Sequence, residues 1–184
     1  MENRFYYLDA TFVSKWYWGG VDLEPWVPFF VKGMVGFKGA VKVEIESGFK
    51  PPDILWNSHS LLIVTDKVLD VWKDFDVRYE TYDVLIEGKV SPVKYTGIAV
   101  LGRGGPFDPV RSGARYGTDV HEDGTRSLMG MKALYFDESQ WDGSDLFMLS
   151  DNSGWYIVTE RLVEAMKTAG LTNCNYRLTE TVNF

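Results

Sequence analysis

The chain has 184 residues, of which 45% are hydrophobic and 15% aromatic, and it carries a formal net charge of -7 from 19 basic and 26 acidic residues. The aromatic content excludes a disordered chain, and the excess of acids argues against a nucleic-acid-binding protein, which needs a basic surface. The length predicts one compact domain over residues 1–184, with residues 1–100 and 101–184 as its halves if it is subdivided.

The first part of the chain is predicted to form mainly strands. Residues 5–8 and 27–31 are rich in aromatic and β-branched side chains, which favour strands. Residues 41–46 alternate apolar and charged side chains with the period of a half-exposed strand. A buried strand at residues 61–64 then leads into a helix, for which Thr65 is the expected N-cap.

The second part of the chain opens with a predicted long loop at residues 102–127, where glycine, proline and polar residues interrupt any regular pattern. Loops of this length in compact domains are usually functional or mobile. Strands are then predicted at residues 146–149 and 155–158. A helix follows, with Thr159 as its expected cap and Gly170 as its C-terminal residue, free to adopt positive φ.

The sequence contains one internal repeat. Residues 63–70 and 157–164 have the same order of residue types (apolar, apolar, Thr, acid, base, apolar, apolar, acid) at an offset of 94 residues. A strand is predicted after each of the two helices. The fold class we predict is therefore α+β, with a mostly antiparallel sheet, two short-to-medium helices and two similar half-domains related by the repeat.

The sequence offers no constellation for catalysis or cofactor binding. Two histidines, His59 and His121, and one cysteine, Cys174, hardly supply a zinc site. Residues 119–124 begin like a calcium loop, but Gly130 stands where the twelfth-position glutamate belongs. Phosphate-loop, dinucleotide-binding and hydrolase motifs are missing too. We therefore expect that the chain is not an enzyme and that it binds no cofactor and no metal.

The compartment is expected to be the cytoplasm. A single cysteine allows no intramolecular disulfide, which agrees with a reducing compartment. The first residues do not have the pattern of a signal peptide, and no apolar run approaches the roughly 20 residues of a membrane span. We therefore expect no membrane partner, while the sequence leaves the oligomeric state open.

Residues 137–160 contain six acids and no lysine or arginine. Acids interleaved with aromatic side chains suit docking to a basic protein, because charge steers the encounter and aromatic residues provide binding energy. Solvated charge over an aromatic core explains each residue equally well. The candidate partner-binding residues here are Asp137, Glu138, Trp141, Asp142, Asp145, Asp151 and Trp155, with Asp119, Glu122 and Asp123 in the preceding polar segment.

A second candidate site is the aromatic run Trp16-Tyr17-Trp18. Three adjacent side chains on a strand cannot all face one core, so at least one is expected to be exposed or covered by another segment. Trp16 and Trp18, with the nearby acids Asp22 and Glu24, suggest an alternative function. The chain would then be a small-molecule or carbohydrate-binding module.

Three stretches of the chain carry a family resemblance. The C-terminal stretch runs from a strand through Thr-Glu-Arg-Leu into a helix that ends in Ala-Gly-Leu-Thr. Over residues 50–182 the chain resembles a bacterial family of immunity proteins from polymorphic toxin systems, whereas residues 1–49 match poorly. The family has serine more often than threonine at the helix cap. The matching segments are 146–149 with 156–172, 107–112 with 132–137, and 53–55 with 64–68.

This resemblance implies a small acidic protein that binds and neutralises a cognate toxin made by its own cell. Such families mark no catalytic residues, so none is carried over to this chain. The expected mechanism is occlusion of the toxin by an acidic and aromatic surface drawn from residues 137–160, residues 102–127, or both. The expected partner is a toxin with a basic surface.

Overall fold

The computed structural model describes residues 4–11, 13–22, 29, 32–88, 93–120 and 126–183. The predicted strand at residues 27–31 lies outside this part of the chain except for Phe29. In chain order the elements are β1 (Phe5–Asp9), β2 (Trp18–Val21), β3 (Ala40–Ser47), β4 (Leu62–Val64), α1 (Asp66–Trp72), β5 (Tyr79–Glu87), β6 (Thr96–Val100), β7 (Arg103–Gly104), β8 (Arg115–Val120), β9 (Arg126–Gly130), β10 (Leu146–Leu149), β11 (Asn152–Thr159), α2 (Glu160–Thr168) and β12 (Asn175–Leu178).

The strands form two five-stranded sheets and one ribbon. The first sheet has the order β2-β3-β5-β6-β4, and the second has the order β12-β1-β11-β10-β7. Only the β3–β5 and β10–β7 pairs are parallel among the described strand pairs. β8 and β9 make a separate two-stranded antiparallel ribbon. Over the described residues, the predicted α+β class with mostly antiparallel strands and two helices is confirmed.

One apolar cluster joins both sheets and both helices. It contains Val64 of the first sheet, Val158 of the second, Trp72 of α1 and Met166 of α2, each at most 1% exposed. Burying side chains of this size supplies the main driving force for folding. A smaller apolar cluster lies on the outer face of the first sheet, and another lies on the outer face of the second.

Local sequence patterns give most element boundaries correctly. In β3 the apolar residues of the alternating run are buried and the charged ones exposed. Thr65 and Thr159 are the residues before α1 and α2, although neither hydroxyl caps its helix. Gly170 has a φ of +61°, as expected of a left-handed residue after a helix. The predicted loop at 102–127 is wrong in part, because it contains β7 and β8.

The two repeated units follow the same local path. In the first unit, β4 and β5 lie on opposite sides of β6, and both pair with it in the antiparallel direction. In the second unit, β11 and β12 lie on opposite sides of β1 and pair with it in the same way. The rest of each sheet differs: β3 and β2 extend the first sheet beyond β5, whereas β10 and β7 extend the second beyond β11. The structure therefore does not confirm two similar half-domains.

A boundary between residues 100 and 101 would not follow the sheets. β1, near the start of the chain, pairs with β11 and β12. The second sheet therefore draws strands from both ends of the sequence. Among the described residues, no helix is long and apolar enough to cross a bilayer.

Candidate functional site

The helices cover only part of one face of the first sheet. Tyr79, at the start of β5, packs against the central apolar cluster together with Trp72 of α1. Further along β5 the same face continues through Asp83, Leu85 and Glu87, all exposed. This face was not among the predicted sites, because the two strands that form it lie about forty residues apart in sequence.

The parallel register of β3 and β5 joins their exposed side chains into one surface. Lys42 lies beside Leu85, and Glu44 lies beside Glu87. With four acids and one base, the surface is strongly negative, and Leu85 (50% exposed) provides an apolar contact at its centre. We call it the open sheet face, and it consists of Lys42, Glu44, Glu46, Asp83, Leu85 and Glu87.

Gly20 extends the open sheet face onto β2. It pairs with Glu44, and a β-carbon at position 20 would overlap the Glu46 carboxylate. A side chain at position 20 would displace that carboxylate, so glycine leaves room for it to lie across the neighbouring strand. The acidic surface therefore spans three adjacent strands of the sheet.

Glu44 and Glu87 are like charges held directly opposite each other, an arrangement that destabilises a sheet. Lys42 Nζ lies 3.0 Å from Glu87 Oε1 and offsets one of the two charges. Within the described residues Glu44, Glu46 and Asp83 form no ion pair. A cationic group from a partner would relieve this repulsion.

Asp145 is not part of any surface, which corrects its prediction as a partner-binding residue. Its side chain is 0% exposed and accepts two hydrogen bonds of 2.6 Å from the guanidinium of Arg161. The Thr159 hydroxyl and the backbone N–H of Asp76 donate to the same carboxylate. Asp145 is a buried structural anchor.

Asp142 is likewise occupied within the chain. Its Oδ2 lies 3.2 Å from Arg78 Nη1 and accepts a hydrogen bond from the backbone N–H of Arg103. Although partial burial acts to raise the pKa of Asp142, hydrogen bonds from Ser144 and Arg103 and the charge of Arg78 hold it below its ordinary value. The carboxylate is ionised and already paired.

The other predicted acids of this stretch hold turns. Asp137 caps a 3-10 turn, accepting hydrogen bonds from Ser139 and Gln140, which lower its pKa. Asp151 accepts from the backbone N–H of Phe107 at 3.0 Å. Glu138 is exposed in the same 3-10 turn. The predicted acidic surface is therefore divided among local contacts.

The predicted aromatic residues of this stretch are half-buried. The Trp141 indole donates to the Ser144 carbonyl and packs edge-on against Phe5. Trp155 packs edge-on against Phe107. Both rings border the apolar cluster on the outer face of the second sheet, so they are core aromatics rather than free anchors.

The remaining predicted residues are not brought together with this stretch. Asp119 lies exposed on β8 of the ribbon. Glu122 and Asp123 lie outside the described residues.

Trp16 and Trp18 line an apolar pocket of about 210 Å³ together with Val13 and Asn173. Tyr17 between them is buried, and both tryptophans are half-buried, so none of the three side chains is exposed. Two lysines lie over the Trp16 ring, and Lys15 Nζ is 4.7 Å from its centroid. Lys50 Nζ lies 5.2 Å from the same centroid.

Among the described residues, no three His, Cys, Asp or Glu side chains converge on a position that would hold a metal ion. Cys174 is half-buried, and burial raises the pKa of its thiol to about 12. A thiol with so high a pKa is a poor nucleophile at neutral pH.

No protein-family model matches the chain, and no curated protein matches it in sequence.

The sequence contained one signal for the open sheet face. The strict alternation of residues 41–46 shows that Lys42, Glu44 and Glu46 share one side of a strand. What it could not show is the parallel pairing with β5, which adds Asp83 and Glu87. Strand pairing between distant segments depends on the whole fold.

Proposed function

We propose that this chain is a binding protein that neutralises a cognate toxin by covering it, as the resemblance to immunity proteins implies, and that the open sheet face makes the contact. The observation that supports this contact surface is that Glu44 and Glu87 lie opposite each other on an exposed part of the sheet. Retaining a like-charge pair there costs stability, and a basic partner would remove that cost.

The proposed mechanism is occlusion in the cytoplasm. Acids at the rim speed the encounter with a basic partner, and the exposed Leu85 supplies apolar area at the centre. Blocking a toxin in this way requires no bond to be made or broken. The proposal therefore assigns no catalytic residue and no cofactor.

The test is co-expression with the product of each neighbouring gene, measuring growth and complex formation. For a complex so found, the double variant Glu44→Lys/Glu87→Lys is expected to lower the association rate about tenfold at low salt. The difference should shrink at about 1 M salt, where the Debye length is about 3 Å. Asp70→Lys/Glu164→Lys, which reverses one exposed acid on each helix, changes the net charge by the same amount and is the matched control.

If no neighbouring product binds or is neutralised, the toxin-binding function is refuted. If a complex forms but the double variant does not change its association rate, the toxin-binding function is supported. The open sheet face is then refuted as the surface that makes the contact.

The alternative proposal is a small-molecule or carbohydrate-binding module at Trp16 and Trp18, supported by the apolar pocket beside them. The adjacent Lys15 and Lys50 favour ligands with an acidic group. Titration of neutral and acidic sugars, followed by tryptophan fluorescence, tests it. An unchanged signal with both classes would rule out the carbohydrate form of this alternative.

We also propose that the two strand–helix–strand units are copies of one unit. The support is chemical as well as topological: Asp53, Thr65 and Lys67 form the same contacts at α1 as Asp145, Thr159 and Arg161 form at α2. Lys67→Arg tests this equivalence, because arginine occupies the corresponding place in the second unit.

A further inference from the structure

A recess of about 420 Å³ lies around Asp83, at one end of the open sheet face. One row of paired residues crosses it: Ala40 on β3 lies beside Asp83 on β5, and Asp83 lies opposite Thr96 on β6. Thr81 and Leu85 also line the recess, and they share the face of Asp83 because side chains alternate along a strand. The open sheet face therefore ends in a pocket that one side chain of a partner could enter.

The polar groups of this recess are hydrogen-bond acceptors. The Asp83 carboxylate lies on the same face as the hydroxyls of Thr81 and Thr96. Within the described residues, none of these three side chains forms a hydrogen bond, and the exposed Asp83 forms no ion pair. A ligand that enters the recess therefore meets one unpaired negative charge with a hydroxyl group near it.

Two lysines also line the recess, and they differ in their surroundings. Lys38 Nζ lies 3.8 Å from Glu80 Oε2, so its charge is offset within the chain. Lys94 is exposed and forms no ion pair with a described residue. Its long side chain keeps the amine in water, where the charge is screened. A cationic ligand would bind Asp83 against this one screened charge, so removing the charge of Lys94 should strengthen binding.

We propose that this recess receives one arginine side chain of the bound toxin, an inference that rests on the proposed function. A planar guanidinium can make two parallel hydrogen bonds to the Asp83 carboxylate, and its remaining donors suit the hydroxyls of Thr81 and Thr96. The methylene groups of the arginine would pack on Leu85, which is 50% exposed. A lysine ammonium carries fewer donors at a single point, so the recess favours arginine.

The contact at Asp83 has a different role from that of Glu44 and Glu87. An arginine in the recess excludes water from its charge pair, and loss of one partner of such a pair mainly speeds dissociation. Charges at the rim of an interface act mainly on the association rate. The two parts of the open sheet face should therefore be separable by kinetics.

Surface plasmon resonance on the complex of the full chain with its toxin tests the recess. Asp83→Asn is expected to raise the dissociation rate about thirtyfold, and most of this effect should persist at high salt, because a buried pair is little screened. Lys94→Gln should lower the dissociation rate. Asp74→Asn, which removes an exposed carboxylate after α1, is the matched control and should leave both rates unchanged. Circular dichroism checks that every variant is folded.

A double-mutant cycle identifies the occupant. Each surface arginine and lysine of the toxin is changed to alanine and measured against the parent chain and against Asp83→Asn. One arginine variant is expected to speed dissociation from the parent chain and to have little further effect on Asp83→Asn.

If no neighbouring gene product binds, the toxin-binding function and this occupant are both refuted. If a complex forms but Asp83→Asn dissociates at the rate of the parent, the function stands and the recess is refuted as a contact. Coupling of Asp83 to a lysine, or to no cation of the toxin, likewise overturns the proposed arginine.

Discussion

Asp53 and Asp145 occupy equivalent places in the fold, one beside the start of each helix. Thr65 Oγ1 donates to Asp53 at 3.4 Å, and Thr159 Oγ1 donates to Asp145. These threonines immediately precede α1 and α2, and their hydroxyls bind the aspartates instead of capping the helices. Each aspartate thus fixes the point where a strand becomes a helix.

Each aspartate also holds the segment that follows the other helix. Asp53 Oδ2 accepts a hydrogen bond of 2.8 Å from the backbone N–H of Thr172, after α2. Asp145 Oδ2 accepts one of 2.9 Å from the backbone N–H of Asp76, after α1. The two carboxylates therefore tie the start of each helix to the end of the other.

Asp145→Ala should destabilise the protein more than Asp53→Ala. Asp145 is fully buried, and its loss leaves buried donors unpaired, which costs about 3 kcal/mol. Asp53 is 15% exposed, and its loss should cost about 1–2 kcal/mol, since water replaces part of its contacts. Urea unfolding measures both, with Asp74→Ala as the exposed control. A reversed order, or costs equal to the control, would contradict the anchoring role.

Substitutions of Lys67 and Arg161 test whether the two units are equivalent. Lys67 Nζ lies 3.2 Å from Asp53, whereas Arg161 makes two hydrogen bonds to Asp145. Lys67→Arg should be tolerated within about 0.5 kcal/mol, because an arginine already occupies the corresponding place. Arg161→Lys should cost about 1 kcal/mol through loss of the two-point contact. Thermal unfolding measures both variants, and a cost clearly above about 0.5 kcal/mol for Lys67→Arg would contradict the equivalence of the two units.

Glu44→Lys should stabilise the chain while weakening partner binding. The substitution replaces the like-charge opposition to Glu87 with an opposite-charge pair, worth about 0.2–1 kcal/mol. The unfolding midpoint in urea at low salt measures the gain, which should decrease as salt is added. Glu164→Lys, which removes the partner of Lys167, should show no gain. Destabilisation by Glu44→Lys would contradict the repulsion assigned to this pair.

The lowered pKa of Asp142 predicts that acid destabilises the folded protein. Its pKa is lower in the folded chain than in the unfolded chain, where it is about 3.9. Its contribution to stability is therefore present above about pH 4 and is lost as the pH falls through the folded value. Asp142→Asn should lose less unfolding free energy between pH 7 and about pH 2.5 than the parent. Denaturant unfolding at several pH values measures this, and parallel profiles would exclude Asp142 as a contributor.

Gly97→Ala should be strongly destabilising. Gly97 pairs with Tyr82 across β6 and β5, and a β-carbon at position 97 would overlap the Tyr82 ring. Because that ring is buried, the overlap should cost about 2–3 kcal/mol. Gly154→Ala is the matched control in β11, where the nearest atom would lie 3.6 Å away. A calorimetric melting temperature unchanged in Gly97→Ala would show that Tyr82 moves aside freely.

Several elements were predictable because their signals are local. Alternation alone identified β3, and apolar spacing with a preceding threonine identified α1 and α2. The ribbon was missed, since β8 and β9 are exposed on both faces and carry no such pattern. A strand without a buried face has no periodic signature to detect.

The sequence by itself determined the total charge and those strands and helices that have a local signal, but not the β8–β9 ribbon. Only the tertiary structure decided which acidic side chains have a basic partner within the chain and which lie close to another acid. Residues 137–160 contain no basic residue, yet Arg78, 64 positions before Asp142, lies beside it, and Arg161 neutralises the buried Asp145. Conversely, Glu44 and Glu87 face each other because two distant strands pair in parallel. Electrostatic interactions depend on distance in space, and folding sets that distance between residues far apart in the chain.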